Sequence, residues 1–361
     1  MTTVALIGAQ WGSEGKGVIA GGMASMLDAA VRVGGPNAGH SLYRNGELFK
    51  MRSVPCAWVG DPTPDLFIGA GAVVHAELLE RELAEIAERG GKEVFVKIDP
   101  RATIITHAME EAERGIVASI GSTGEGVGQA RIARILRDGS ATLAGDYPWD
   151  GPIIVDDTAL SINRYLKGGG LVMLEGTQGS GLSLLHGTRY PTVTSEDTNV
   201  SSLLAAAGIA PSYSEHVHLV ARTFPIRVAG PSGPMGEELD WDYFIQRGII
   251  EKPEQTTVTK KIRRVSRWYD PVVDRAVLLN QPCGIWLTFG DYIDPSLRGT
   301  TDADAVWESP ALRSFVESIQ ERYGVPVLGV GTGPGVDSRG EPTFSVAHLN
   351  HCQHDRSWAW W

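Results

Sequence analysis

A lysine inside a glycine-rich turn is the first group in this chain with an evident chemical use. Val4-Ala5-Leu6-Ile7-Gly8-Ala9 reads as a short buried strand and runs directly into Gln10-Trp11-Gly12-Ser13-Glu14-Gly15-Lys16-Gly17. Backbone N–H groups in such a turn can cradle phosphate oxygens, and the lysine adds a point charge. The turn departs from the G-x4-G-K-[ST] phosphate loop, because Gln10 takes the first glycine's place and Gly17 the Ser/Thr place. Gly34-Gly35-Pro36-Asn37-Ala38-Gly39-His40 follows, a small-residue loop in which a histidine can approach a ligand closely. Ile120-Gly121-Ser122-Thr123-Gly124-Glu125-Gly126-Val127-Gly128, with Arg131 and Arg134 after it, has the same character. So does Glu175-Gly176-Thr177-Gln178-Gly179-Ser180-Gly181.

One basic cluster stands out in an acidic chain: Lys260, Lys261, Arg263, Arg264 and Arg267, flanked by Thr256, Thr257 and Thr259. A charge run is commonly a solvated face, but the adjacent hydroxyl donors favour an anion site. His348, His351, Cys352 and His354 lie close together near the end, at a spacing that fits no zinc pattern.

The elements that must carry these loops are legible as apolar runs. Buried strands are expected at 3–9, 65–70, 93–98, 170–175, 217–223, 284–289 and 325–331. The clearest helix is 75–89, HAELLERELAEIAER, with Gly90-Gly91 as its stop. Strands alternating with helices predict an α/β fold: a large, mainly parallel central sheet with helices on both faces and loop and helical insertions. Ligands in such sheets sit at the carboxyl ends of the strands. Glycine-rich turns are expected there after residues 9, 175 and 331, the last being Thr332-Gly333-Pro334-Gly335. No repeat or linker divides the chain, so residues 1–361 read as one domain.

Composition limits the partners. Net charge is −11, with 42 % hydrophobic and 21 % charged residues. An acidic chain is a poor binder of phosphate backbones, so no nucleic-acid partner is expected. No apolar run approaches the roughly 20 residues needed to cross a bilayer. No signal segment is read at the N-terminus, and Cys56, Cys283 and Cys352 read as reduced thiols. The expected location is cytoplasmic.

Taken together, the segments resemble adenylosuccinate synthetases, whose first turn reads WGDEGKG and second loop NNAGH. The resemblance covers most of residues 3–335 and leaves roughly the last 25 residues, rich in tryptophan, unassigned. It implies that Gly12, Glu14, Gly15, Lys16, Gly17, Gly39 and His40 meet the donor nucleotide's phosphates, with His40 stabilising the oxygen that is phosphorylated. Asn37, Ala38, Thr123, Gln178, Thr194 and Val228 would hold the acceptor monophosphate, Gln178 facing the purine and Thr123 and Thr194 the 5′-phosphate. Arg134 matches an arginine that reaches that phosphate from the neighbouring subunit, which implies a homodimer. Val258, Thr259, Lys261 and Arg263 match the loop that closes over L-aspartate, with lysine at 261 in place of an arginine that touches the ribose 2′-OH. Arg263 would also lie at the donor. Phe289, Asp291, Thr332, Gly333 and Pro334 match the donor-base site, but Phe289 replaces a lysine that packs on guanine, so an adenine stacked near it is an alternative. Ser13 and Gly39 would help hold Mg²⁺.

Residue 13 departs from the family. The matching aspartate takes a proton from the purine N1 and ligates the metal; serine is a poor base and a weaker ligand. Three readings follow: a nucleotide-binding protein without turnover, an IMP-using enzyme with its base relocated, or an enzyme with a different purine. Guanine carries a 2-amino group beside N1, which an aspartate would crowd and a serine can accept from. That matches the bacteriophage branch of the family, the 2-aminoadenylosuccinate synthetases of the diaminopurine DNA pathway. The favoured expectation is a ligase joining L-aspartate to C6 of dGMP with ATP or dATP, with Mg²⁺, in the host cytoplasm if phage-encoded. Ser13, Lys16, His40 and Gln178 are its expected catalytic groups.

Overall fold

The computed structural model describes residues 2–114, 124–255, 260–336 and 340–349. Ten strands form the central sheet: β1 (Thr2–Gly8), β2 (Ala29–Arg32), β3 (Asp65–Ile68), β4 (Val96–Ile98), β5 (Ile153–Val155), β6 (Leu171–Glu175), β7 (Ser214–Arg222), β8 (Gly284–Thr288), β9 (Val327–Val336) and β10 (Pro342–His348). Their spatial order is β10-β9-β8-β7-β1-β6-β2-β3-β4-β5. Every neighbouring pair is parallel except β9 with β10.

Alternation along β1 explains why it lies in the middle. Val4 and Leu6 pack into one core, Ala5 and Ile7 into the other, so both faces are buried. The first core receives α1 (Lys16–Met23) through Ile19, Ala20 and Met23, and α2 (Ala76–Gly90) through Leu79, Leu83 and Ile86. The second receives Leu203 and Leu204 of helix Val200–Ala207, Ala276 of helix Asp270–Asn280, and Leu312, Val316 and Ile319 of helix Pro310–Tyr323. Among the described residues, no helix is long and apolar enough to cross a membrane.

All seven expected strands are present in this sheet, and α2 occupies the expected helix. His75 caps α2, its Nδ1 accepting from the Leu78 N–H at 3.4 Å, and Gly91 ends it at φ 62°. Three strands went unrecognised. Ala29-Ala30-Val31-Arg32 and Ile153-Ile154-Val155 are too short to give a clear period, and β10 lies on the far edge. The glycine-rich turn expected after residue 331 is a correction: Thr332, Gly333, Pro334 and Gly335 lie within β9. β10 pairs along them and supplies the hydrogen-bond partners that a turn would lack.

His40 is a second correction, because it opens a strand. His40–Arg44 and Glu47–Met51 form a hairpin around Asn45 (φ 50°) and Gly46 (φ 75°). The Asn-Gly pair is the sequence signal for such a turn.

Candidate functional site

Four loops meet where parallel strands end. Leu6 of β1 lies opposite Glu175 of β6, and Glu175 opposite Arg32 of β2, so the segments after these strands emerge side by side. The segment after β8 joins them across β7.

The first loop is shaped by its own carboxylate. Glu14 is fully buried, and its Oε1 accepts from the N–H groups of Gln10 at 3.1 Å and Gly12 at 2.8 Å. Its Oε2 holds Lys16 Nζ at 2.8 Å, and the ammonium also donates to the Gln178 carbonyl. Lys16 is thus placed at the loop by two fixed acceptors. A Cβ on Gly17 would fall 2.8 Å from the His40 Cβ and 2.9 Å from the Ser41 carbonyl oxygen. The Ser or Thr of the common phosphate loop does not fit there, because the histidine segment packs directly on α1.

His40 belongs to a buried charge cluster. Its Nδ1 lies 2.5 Å from Glu175 Oε1, which also accepts from Arg32 at 2.7 Å. The Cys56 N–H donates to Glu175 Oε2 at 2.6 Å. A carboxylate accepts only, so Nδ1 carries the proton and Nε2 is left for a ligand. Burial, helped by Arg32, pushes His40 down to about 4. Burial works to raise Glu175, but Arg32 and His40 outweigh it and hold the carboxyl at about 2. Arg32 and Glu175 carried a signal in the sequence, each being a charge at the end of an otherwise apolar strand that must find a partner when buried.

Three expected site residues adopt left-handed backbone without being glycine: Ser13 (φ 60°), Gln178 (φ 58°) and Phe289 (φ 60°). Such conformations cost on the order of 1–2 kcal/mol each and recur at ligand sites. Ser13 is exposed, and its Oγ accepts from Arg263 at 2.8 Å. Arg263 therefore reaches the first loop. Burial lowers its pKa, partly opposed by Glu254. Lys261 is exposed; Thr123, Val258 and Thr259 lie outside the described residues, as do His351, Cys352 and His354. His348 packs edge-on against Trp286, 5.4 Å between ring centres.

On the acceptor side, Gln178 Oε1 lies 3.8 Å from where a Cβ on Gly12 would stand. Asn37, Ala38, Thr194 and Val228 are each half-buried. Arg134 is exposed on the helix Val127–Leu136, beside exposed Ile132, Ile135 and Leu136. On the donor side, Asp291 is buried; its Oδ2 accepts from Arg298 at 3.1 Å, while Oδ1 has no partner. Burial raises its pKa against the pull of Arg298. Gly333 at φ 87° lets this carboxylate close in, since a Cβ would fall 2.6 Å from Asp291 Oδ2. Arg222, fully buried, covers one face of Phe289 at 3.5 Å from the ring centre. Phe289 also packs on a satellite core with Phe244 and Tyr292, which leaves less ring for a stacked base than the sequence suggested.

Among the described residues, His40, Cys56 and Glu175 form a cluster able to coordinate a divalent ion. It suits Mg²⁺ poorly. Mg²⁺ prefers hard oxygen ligands and keeps several waters. Here the thiol's pKa is raised by burial and both carboxylate oxygens are engaged. Ser13 and Gly39, the residues expected at Mg²⁺, are both exposed.

A phosphate loop, a buried histidine and converging cations at the strand ends define a nucleotide-using enzyme of the α/β class. A sequence profile of the adenylosuccinate synthetase family matches residues 5–144 and 151–298. The adenylosuccinate synthetase of Pyrococcus horikoshii is 36 % identical over 344 residues, covering 93 % of this chain and 97 % of that one. That of Archaeoglobus fulgidus is 34 % identical, covering 92 % and 96 %. Among solved structures, cyanophage S-2L succinoaminodeoxyadenylate synthetase, bound to dGMP and to dATP as energy donor, superposes with a TM-score of 0.81 at 26 % identity, covering 96 % of this chain and 95 % of that one. The fully ligated enzyme from Plasmodium falciparum shares the fold, with a TM-score of 0.80 at 20 % identity, covering 95 % and 99 %.

The chain belongs to the adenylosuccinate synthetase family. It is a C–N-forming ligase that uses a nucleoside monophosphate, aspartate and an ATP-type donor.

Proposed function

We propose that the acceptor is dGMP, and that the reaction is dGMP + L-aspartate + ATP (or dATP) → N6-succino-2-amino-dAMP + ADP (or dADP) + phosphate. The single observation that carries this is Ser13, exposed at the loop mouth and bonded to Arg263 where the family has an aspartate. A hydroxyl leaves room for the 2-amino group and can accept from it. The likeness to the cyanophage enzyme, whose structure holds dGMP and dATP, supports the same acceptor and donor.

A second reading has its own support. The archaeal sequence relatives are adenylosuccinate synthetases of higher identity, 36 % and 34 %, and by sequence they favour IMP over dGMP. Under either reading the transferred phosphoryl group moves from the donor to the purine O6, and aspartate then displaces it from C6. Lys16 and the first-loop amides hold the donor's phosphates. His40 would meet O6 through Nε2 as an N–H donor in its imidazolium form, which Glu175 at Nδ1 stabilises as negative charge builds on that oxygen. Ser13 and Gly39 would help hold a Mg²⁺ ion, which when bound would supply charge neutralisation at the phosphates. Arg134 and the apolar residues beside it support a homodimer in which that arginine serves the partner's acceptor site.

The test is phosphate release with aspartate and Mg²⁺, comparing dGMP with IMP under ATP, dATP and GTP. Turnover with dGMP and little with IMP is expected. Turnover with IMP alone overturns the dGMP assignment in favour of the second reading.

A further inference from the structure

An ion pair beside segments expected to hold the acceptor has no part in the proposed reaction. The helix Val127–Leu136 follows the loop that carries Thr123, and its leading amides are already engaged. Buried Glu113 accepts from the N–H groups of Gly126 at 2.5 Å and Gly128 at 2.8 Å. The positive end of this helix is spent on a protein carboxylate, so an incoming phosphate must find its charge in side chains. Arg131 turns inward and donates through one terminal nitrogen to Glu196. Its Nε is buried without a partner.

Glu196 lies two residues beyond Thr194, with Oε1 at 3.4 Å from Thr177 Oγ1 and 2.8 Å from where a Cβ on Gly34 would stand. Asn37 Oδ1, in the same loop as Gly34, is also buried without a partner. The pair therefore lies against Thr177 and Gly34, in the two segments that carry Gln178 and Asn37, which are expected to hold the monophosphate. A guanidinium edge offers two parallel N–H groups that match two oxygens of a phosphate. Glu196 engages one nitrogen only. Its own charge is costly there: burial raises its pKa, Arg131 opposes, and Asp197 adds to the rise.

We propose that Arg131 is a same-subunit ligand of the acceptor's 5′-phosphate, and that Glu196 is its resident counter-ion, which releases the guanidinium when the nucleotide enters. This rests on the reading of the chain as a monophosphate-using ligase. It is distinct from the role of Arg134, which is exposed on the same helix and is expected to serve the partner.

The test is calorimetric titration of the full chain with dGMP and with deoxyguanosine, and in parallel with IMP and inosine. The wild type should bind each monophosphate more tightly than its nucleoside. Arg131→Gln should remove about tenfold or more of that preference and leave nucleoside affinity unchanged. Arg131→Lys should keep part of it, and Glu196→Gln should bind the monophosphate as tightly as wild type or tighter. Equal weakening of nucleoside and monophosphate in Arg131→Gln overturns the proposal, as does an unchanged preference. So does Glu196→Gln weakening the monophosphate as much as Arg131→Gln. Absence of turnover with either purine would sink the functional reading, while the titrations still decide Arg131.

Discussion

Ser13→Asp is the substitution that most directly tests why this chain departs from its family. The backbone accommodates it, because aspartate tolerates the left-handed conformation at φ 60° better than most side chains. The carboxylate reaches one bond further than the hydroxyl and carries a charge toward Arg263, now 2.8 Å from the serine oxygen. Two effects follow. A new base at this position should help any 6-oxopurine, so absolute rates are a poor readout. The 2-amino group of guanine, however, would meet a bulkier neighbour in place of the hydroxyl, and hypoxanthine has no such group to crowd. A lost or clashing polar contact costs about 1.5–3 kcal/mol, so kcat/KM for dGMP relative to IMP should fall roughly ten- to a hundredfold. KM for aspartate should rise as well, because a charge-assisted bond to residue 13 holds Arg263 away from the substrate. The assay is phosphate release under competition between dGMP and IMP, with wild type alongside. An unchanged ratio, or one that moves toward dGMP, refutes the steric argument.

Four further outcomes are expected. Glu175→Gln should leave Arg32 buried without a counter-charge and cost about 3–5 kcal/mol, read by chemical denaturation; a loss below about 1 kcal/mol would show that the cluster relaxes freely. Gly17→Ala forces a Cβ to within 2.8 Å of the His40 Cβ. It should lower stability by about 1–3 kcal/mol and displace the histidine, seen as a fall in both melting temperature and kcat. Gly333→Ala places a Cβ 2.6 Å from Asp291 and should raise KM for the donor while sparing the monophosphate; a rise confined to the monophosphate would misplace the donor site. Finally, His40 and His218 are held by burial at about 4 and about 3, below their ordinary 6.5. Below that value the unfolded chain binds protons that the folded chain refuses. Stability present above pH ~6.5 is therefore lost as pH falls toward those values. Thermal melts from pH 7 to 5 should show this slope, and His218→Asn should flatten it; identical slopes would remove His218 from the account.

Much of the fold was legible because buried parallel strands are short apolar runs bounded by glycine turns. The runs at 3–9, 170–175 and 284–289 each became a strand whose following segment carries expected site residues. What escaped was carried by neighbours that no single window contains. β2 is only three small apolar residues and an arginine, and it becomes a strand because β6 and β3 flank it on both sides. Thr332–Gly335 looks like a turn until β10 pairs with it.

The chain's own residue order determined which chemistry is present: a lysine in a glycine turn, a histidine after small residues, a serine at position 13, and the spacing that marks the family. Local sequence can do this because turn conformation and strand burial depend on near neighbours and on side-chain type. Only the tertiary structure decided how those groups are charged and held. Glu175 is far in sequence from Arg32 and His40 and meets them because the β2–β6 register sets Arg32 beside Glu175. Arg131 finds Glu196, and Arg263 crosses to Ser13. Each of these pairings rests on burial and distance between distant segments, and the cost of leaving a buried charge unpaired is a property of the packed molecule.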